Sequence, residues 1–357
     1  MENMRNKIYR QGSQEALYET PLTVSWRLTN MCNYKCSYCY GQESIGSKPF
    51  TTFEQLRSIA DMIISLERSR YLFAFVGGEP TIHPDLENLI KYLHERLGER
   101  AEYSVITNAS RSVKYYERLA EACRGAKLGF TCSFHTESAK SEHFSGFIRT
   151  LSDKARINIP LMYNPERRDY VREVFSIFYE LRREYSFSFN VVLLQNPPDF
   201  DIDDVRYVED DFMWEMLANR KIEQLEALPA TPAVQKRHNA LFWDMVLDGR
   251  RVFEEYVNPN RNTLLQNGLL NFKGMWCCVG ANLLSIYEDG TFGGSDCLLG
   301  TVQDKTLFDF NPYLDGTLPK PVQCPYENCA CPSNYSTPKF MHCGEAEQFL
   351  RFKSWII

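Results

Sequence analysis

The sequence predicts an α/β fold, a partial (β/α)6 TIM-like barrel followed by a small cysteine-rich C-terminal domain that contains a β-hairpin. Three observations lead there. Apolar strand-like runs alternate six times with helix-periodic runs between residues 22 and 194, the pattern of a parallel sheet and its crossover helices. Six units fall short of the eight that close a barrel, so the sheet is expected to stay open. The cysteines, twelve in all, gather near the two ends of the chain, three at 32–39 and seven between 277 and 343. The chain divides accordingly into a lead-in (1–20), the barrel (21–195), a helical connector (196–275) and the cysteine-rich domain (276–357).

The elements follow in order. Residues 22–29 read as the first strand. Thr51-Thr52-Phe53-Glu54 has the form of a capping box, and Leu56, Ile59, Ala60, Ile63 and Ile64 give the helix behind it one apolar face. Residues 71–76, rich in aromatics, read as a buried strand ending in Gly77-Gly78-Glu79-Pro80. Leu86, Leu89, Ile90 and Leu93 mark the second helix. Strands are expected at 101–107, 128–134, 157–163 and 187–194, with helices near 113–124, 140–152 and 171–185 between them. Pro229, Pro232 and Asn258-Pro259-Asn260 punctuate the connector, where helical patterns span 212–227 and 233–249. Beyond it an apolar run at 283–287, then Asp289-Gly290 and Thr291-Phe292, reads as a tight hairpin.

Composition bounds the function. A hydrophobic fraction of 44% and a charged fraction of 24% suit a globular chain, and a net charge of −6 offers no basic surface for nucleic acid. No run of about eighteen apolar residues occurs, so no helical membrane segment is expected. The expected location is cytoplasmic, where thiols stay reduced and clustered cysteines bind metal more often than they form disulfides.

Cys32-Asn33-Tyr34-Lys35-Cys36-Ser37-Tyr38-Cys39 follows the first strand directly. A short loop with three thiolates can wrap three corners of an iron–sulfur cube. It leaves the fourth iron open for chemistry. Zinc, or cysteines that only pack, are the alternatives. The triplet leaves the first strand, Gly77-Gly78-Glu79-Pro80 the second, Asn108 the third and His135 the fourth. All four therefore fall on the rim formed by the C-terminal ends of the strands, where such folds carry reactive groups.

CxxxCxxC after the first strand with Gly-Gly-Glu-Pro after the second resembles the radical S-adenosylmethionine (SAM) superfamily over roughly residues 20–195. The resemblance implies a [4Fe-4S] cluster on Cys32, Cys36 and Cys39, with SAM chelating the open iron. It implies contacts to SAM from Gly77, Gly78, Glu79 and Pro80, from Tyr38 near the adenine, and from Asn108 and Ser133. His135 is a candidate base or substrate contact, or a plain loop histidine. Trp276-Cys277-Cys278-Val279-Gly280, the hairpin and Cys297 resemble the start of a SPASM/twitch extension, although the spacing from Gly290 to Cys297 is longer than the commonest pattern. That likeness implies one auxiliary iron–sulfur cluster on four of Cys277, Cys297, Cys324, Cys329 and Cys331. Four-thiolate zinc is the alternative there, with Cys278, Cys343, Cys123 and Cys132 as packing residues. The implied enzyme cleaves SAM with an electron from a flavodoxin- or ferredoxin-type reductant. The resulting 5′-deoxyadenosyl radical would take a substrate hydrogen for an oxidative change to a peptide or protein side chain. A small-molecule dehydrogenase of twitch type is the rival, and a non-catalytic electron carrier the reading from another class. The short lead-in is expected to lack a leader-binding domain, so a peptide would need separate recognition or direct capture.

Overall fold

The computed structural model describes residues 7–9, 21–39, 50–194, 244–247, 250–251, 272–278, 283–293, 305–306, 321–325 and 339–350. After a short strand β1 (Lys7–Tyr9), the chain runs β2 (Leu22–Thr29), α1 (Phe53–Ile64), β3 (Tyr71–Gly77), α2 (Leu86–Leu97), β4 (Ala101–Thr107) and α3 (Val113–Ala122). It continues through β5 (Lys127–Cys132), β6 (Phe134–His135), α4 (Ser141–Leu151), β7 (Arg156–Tyr163), α5 (Arg168–Leu181) and β8 (Ser188–Leu193). Strands β2, β3, β4, β5, β7 and β8 lie side by side in that order, all parallel, which is the open barrel expected. The strand predicted at 128–134 is interrupted at Ser133, whose N–H donates to Thr107 O at 2.8 Å. Phe130 pairs with Ile157 and Phe134 with Leu161, so the register against β7 is unchanged across the break.

Alternation decides which way each strand faces. Leu22, Val24, Trp26 and Leu28 of β2, with Tyr71, Phe73 and Phe75 of β3, are buried against the apolar stripes of the helices, including Leu56, Ile59, Leu89 and Ile90. Phe73 is fully enclosed and stacks near Tyr71, Phe75 and Tyr103, so truncating it to Ala costs about 3–5 kcal/mol. The intervening residues are only half-buried. The strand at 71–76, expected to be buried, is buried on one face and half-buried on the other. The helix start is also one residue later than predicted: Thr52 caps α1 and Gln55 completes the box. Thr51 instead donates to Glu288 O at 2.7 Å.

Two further differences concern the second half. Part of the helix expected at 233–249 is strand. β9 (Asp244–Leu247) and β10 (Arg250–Arg251) pair antiparallel with each other, and β9 with β1. Leu247 pairs with Arg250, and the sequence between them is Asp248-Gly249, a two-residue hairpin signal that outweighed the helical period. The pattern at 212–227 lies outside the described residues.

The predicted hairpin is present as β12 (Leu283–Ile286) and β13 (Thr291–Gly293), after β11 (Trp276–Cys277). β12 runs parallel to β2, pairing Leu283 with Thr23 through Ile286 with Trp26, so the hairpin extends the barrel sheet at its first edge. β14 (Lys305–Thr306) pairs antiparallel with β13 on its far side. Arg27 lies 5.1 Å above the Tyr287 ring, a second tie across that junction. β15 (Val322–Gln323) and β16 (Lys339–Phe340) flank β11 in a separate small sheet, and α6 (Cys343–Leu350) follows.

Candidate functional site

The cysteine loop is rooted in the Gly-Gly-Glu-Pro turn. Gly78 N–H donates to Thr29 O at 2.9 Å and Glu79 N–H to Met31 O at 2.8 Å, so the chain entering Cys32 lies directly on the turn after β3. A Cβ on Gly77 would stand 2.2 Å from Thr29 O, and one on Gly78 2.1 Å from Met31 O. Gly77 also has φ of +148°, which side chains disfavour. The sequence suggested that these glycines admit a ligand. In the structure they admit the root of the cysteine loop itself.

Glu79 is 1% exposed, and its carboxylate gathers four donors. Oε1 accepts from Thr81 N (3.0 Å), Thr81 Oγ1 (2.6 Å) and Thr107 Oγ1 (2.7 Å), while Oε2 accepts from Asn108 N (2.7 Å). Burial raises its pKa against the lowering effect of these bonds. Oε1 is fully engaged; Oε2 retains acceptor capacity. Asn108 carries the connection onward. Its Nδ2 donates to Asn33 Oδ1 at 2.9 Å and reaches Cys32 Sγ at 3.8 Å. Pro80 begins the short 3-10 turn that Glu79 caps. Four of the expected rim residues, Cys32, Gly78, Glu79 and Asn108, thus form one bonded unit.

The far side of the loop is held from the fourth and fifth strands. Ser37 donates twice to Glu137, from its N–H at 2.8 Å and from its hydroxyl, and Asn164 Nδ2 donates to the same carboxylate at 3.3 Å. Tyr38 stacks on His135 with centroids 5.9 Å apart, and its hydroxyl is 3.0 Å from His135 Nδ1. Tyr34 meets the same imidazole edge-on. Burial lowers His135 to about 4, so the ring is neutral near pH 7. Ser133 is half-buried between β5 and β6, two residues before His135. Thr107, Glu137 and Asn164 were not picked out from sequence. Glu137 had one available signal, its place two residues beyond His135 on the same rim.

Burial is the main cause that raises the pKa of Cys32, and it pushes Cys36 up to about 11, with Cys39 adding charge repulsion to both. Burial therefore favours the protonated form of Cys32 and Cys36. An open groove of about 1040 Å³ runs along the outer flank of the loop, past Lys35, Ser37, Glu137, Asn164 and Arg167. Among the described residues, no cysteine and no residue of the glycine turn lines it.

Near the C-terminus, Cys324 N–H donates to Met275 O and Gly274 N–H to Cys324 O, both at 2.8 Å. Cys324 thus opposes Met275, two residues before Cys277, which puts Cys324 and Cys277 on one face of the small sheet. Cys278, on the other face, is fully buried with its Sγ 3.9 Å from Ala346 O. Cys343 begins α6 beside Glu347. Cys123 and Cys132 are buried in the barrel. Cys297, Cys329 and Cys331 lie outside the described residues.

Comparison with known proteins bears on this arrangement. Over 95 residues the chain is 33% identical to the S-adenosylmethionine-dependent nucleotide dehydratase of a Fibrobacter species, covering 25% of this chain and 28% of that protein. Over 106 residues it is 29% identical to the antilisterial bacteriocin subtilosin biosynthesis protein AlbA of Bacillus subtilis, covering 30% and 22%. The matches span about a quarter of the length of those relatives. Among solved structures, native anSMEcpe with bound AdoMet and a peptide aligns over 82% of this chain and 81% of that one, with 20% identity and a TM-score of 0.48. The profile of the Radical SAM superfamily matches residues 26–204, just over half of the 357 residues. Since that match lies over the cysteine loop, its glycine seat and the parallel strands that carry them, the chain belongs to the radical SAM superfamily, enzymes that bind a [4Fe-4S] cluster and S-adenosylmethionine.

Proposed function

We propose that Cys32, Cys36 and Cys39 hold the [4Fe-4S] cluster and that SAM sits against Gly77, Gly78, Glu79 and Pro80, beside Asn108, Ser133 and Tyr38. The observation that carries this reading is the bonded unit linking Cys32, Asn108 and Glu79 to the glycine turn. The donor set fits the group: three thiols on one short loop, spaced CxxxCxxC, leave one iron for a small-molecule ligand. When bound, the cluster and SAM supply an electron and a 5′-deoxyadenosyl radical, and a second cluster supplies a store for the electron that an oxidation releases. Asn108 then stabilises the Cys32 thiolate by hydrogen bonding, and the spare capacity of Glu79 Oε2 suits an ammonium group. His135, neutral and fixed by Tyr38, forms an uncharged wall beside Ser133.

The reaction we infer is oxidative modification of a peptide or protein side chain, by crosslinking or oxidation, with a flavodoxin- or ferredoxin-type donor of single electrons. The inner face of the sheet mixes polar groups with apolar residues such as Leu72, Ala74 and Met162. Thr23, Ser25, Ser104, Thr131 and Asn158 are half-buried there and offer hydroxyl and amide groups along its width. The likeness to a bacteriocin biosynthesis protein favours a peptide, whereas the nucleotide dehydratase keeps a small-molecule substrate as the second reading. For the auxiliary cluster, the shared face of Cys277 and Cys324 favours including Cys324 among the four ligands. Cys297, Cys329 and Cys331 compete for the other two places.

Anaerobic reconstitution with iron and sulfide, followed by SAM and dithionite, tests the reading. The expected product is 5′-deoxyadenosine, rising when a peptide substrate is supplied. Iron-loaded protein that makes none would end the radical reading. Turnover with small polar metabolites but with no peptide would replace peptide modification by the dehydrogenase reading.

A further inference from the structure

We propose that Glu137 is a positioning residue for the cluster, clamping the cysteine loop between its second and third thiols and setting the reduction potential there through its charge. The inference rests on the assignment of Cys32, Cys36 and Cys39 as cluster ligands. The segment Cys36–Cys39 is a single tight turn, closed by Cys39 N–H donating to Cys36 O at 3.1 Å. Ser37 is exposed at its tip. Glu137 holds it from another element, taking both donors of Ser37.

The clamp is itself braced. Ser138 and Ala139 both donate backbone N–H groups to His135 O, at 3.0 and 2.8 Å, fixing the turn on which Glu137 stands. Asn164 is 6% exposed and is locked by accepting from Glu166 N at 2.9 Å, which aims its Nδ2 at the Glu137 carboxylate. Among the described residues no cation is ion-paired with Glu137. Its carboxylate is bonded to the backbone N–H of Ser37, the residue next to Cys36, so its charge stands beside the loop. A negative charge beside an iron–sulfur cluster disfavours the reduced, more negative state and so lowers the potential. Glu137 thus joins mechanical hold and electrical bias in one side chain.

Substitutions separate the two roles. Glu137→Gln keeps an acceptor for Ser37 N–H but removes the charge, while Glu137→Ala removes both. The measurements are iron content, the rate of iron loss to a chelator, and an EPR-monitored redox titration of the signal that changes on adding SAM. Far-UV circular dichroism checks that each variant is folded. The expected result for Glu137→Gln is full iron content with the potential shifted positive. For Glu137→Ala it is iron loss about tenfold faster than wild type, the size typical of losing a partner that orients a metal ligand. Wild-type potential in the Gln variant together with wild-type chelation in the Ala variant would overturn the role of Glu137 alone. A reconstituted wild-type protein with no SAM-responsive signal would overturn the ligand assignment as well.

Discussion

At the N-terminal end the cysteines ride on a loop that other parts of the barrel hold in place: the turn after β3 beneath it, Asn108 after β4 on one flank, and Glu137 after β6 on the other. At the C-terminal end the described candidates Cys277 and Cys324 are held by strand pairing, through β11 and β15. A loop owes its shape to long-range side-chain bonds, so substitutions far away in sequence can undo it. A strand pair owes its shape to backbone bonds, and only its own residues matter much.

The largest expected effect comes from removing the loop's thiols. Cys32→Ala/Cys36→Ala/Cys39→Ala protein should form no 5′-deoxyadenosine yet retain about four irons, the content of one cubane cluster at the other end. Iron analysis after anaerobic reconstitution checks this, and a protein left with none would remove the C-terminal cluster from the comparison. Within that background, Cys324→Ala should release most of the remaining iron while Cys278→Ala keeps it. The reverse result would show that the face shared by Cys277 and Cys324 is not the one that matters.

Smaller effects test the loop's seat. Gly78→Ala places a Cβ against Met31 O and should cost about 2–3 kcal/mol in urea unfolding, with loss of iron from the loop. Gly146→Ala is the matched control, since it lies within α4 with nothing near its would-be Cβ. It should stabilise by about 0.5–1 kcal/mol. Equal effects from the two would mean that the seat is looser than the distances say. Thr52→Ala removes the cap of α1 and should lower stability by about 1 kcal/mol without touching iron content.

Much of this was legible in the residues. The period of apolar positions announced the helices and the six parallel strands, because burying one face of each element leaves that mark on the chain. The cysteine spacing and the glycine turn announced the family, since few other residue types do that chemistry. What the chain did not announce were its cross-connections. Ser37 and Glu137 are a hundred residues apart, and neither is unusual where it stands. Asp248-Gly249 was a readable signal that a competing helical period obscured. The pairing of β12 with β2 joins residues more than 250 positions apart in sequence, and no local pattern specifies which sheet edge a hairpin will find.

The sequence by itself determined the class of fold, the rim on which the reactive groups stand, and the family to which those groups belong. These depend on local periodicity and on the identity of a few residues. Only the tertiary structure decided that Gly77 and Gly78 seat the cysteine loop, that Glu79 spends most of its carboxylate on neighbouring backbone and hydroxyls, and that Glu137 reaches Ser37. Such facts depend on which loops meet once the strands are in register, and that meeting is a property of the folded sheet.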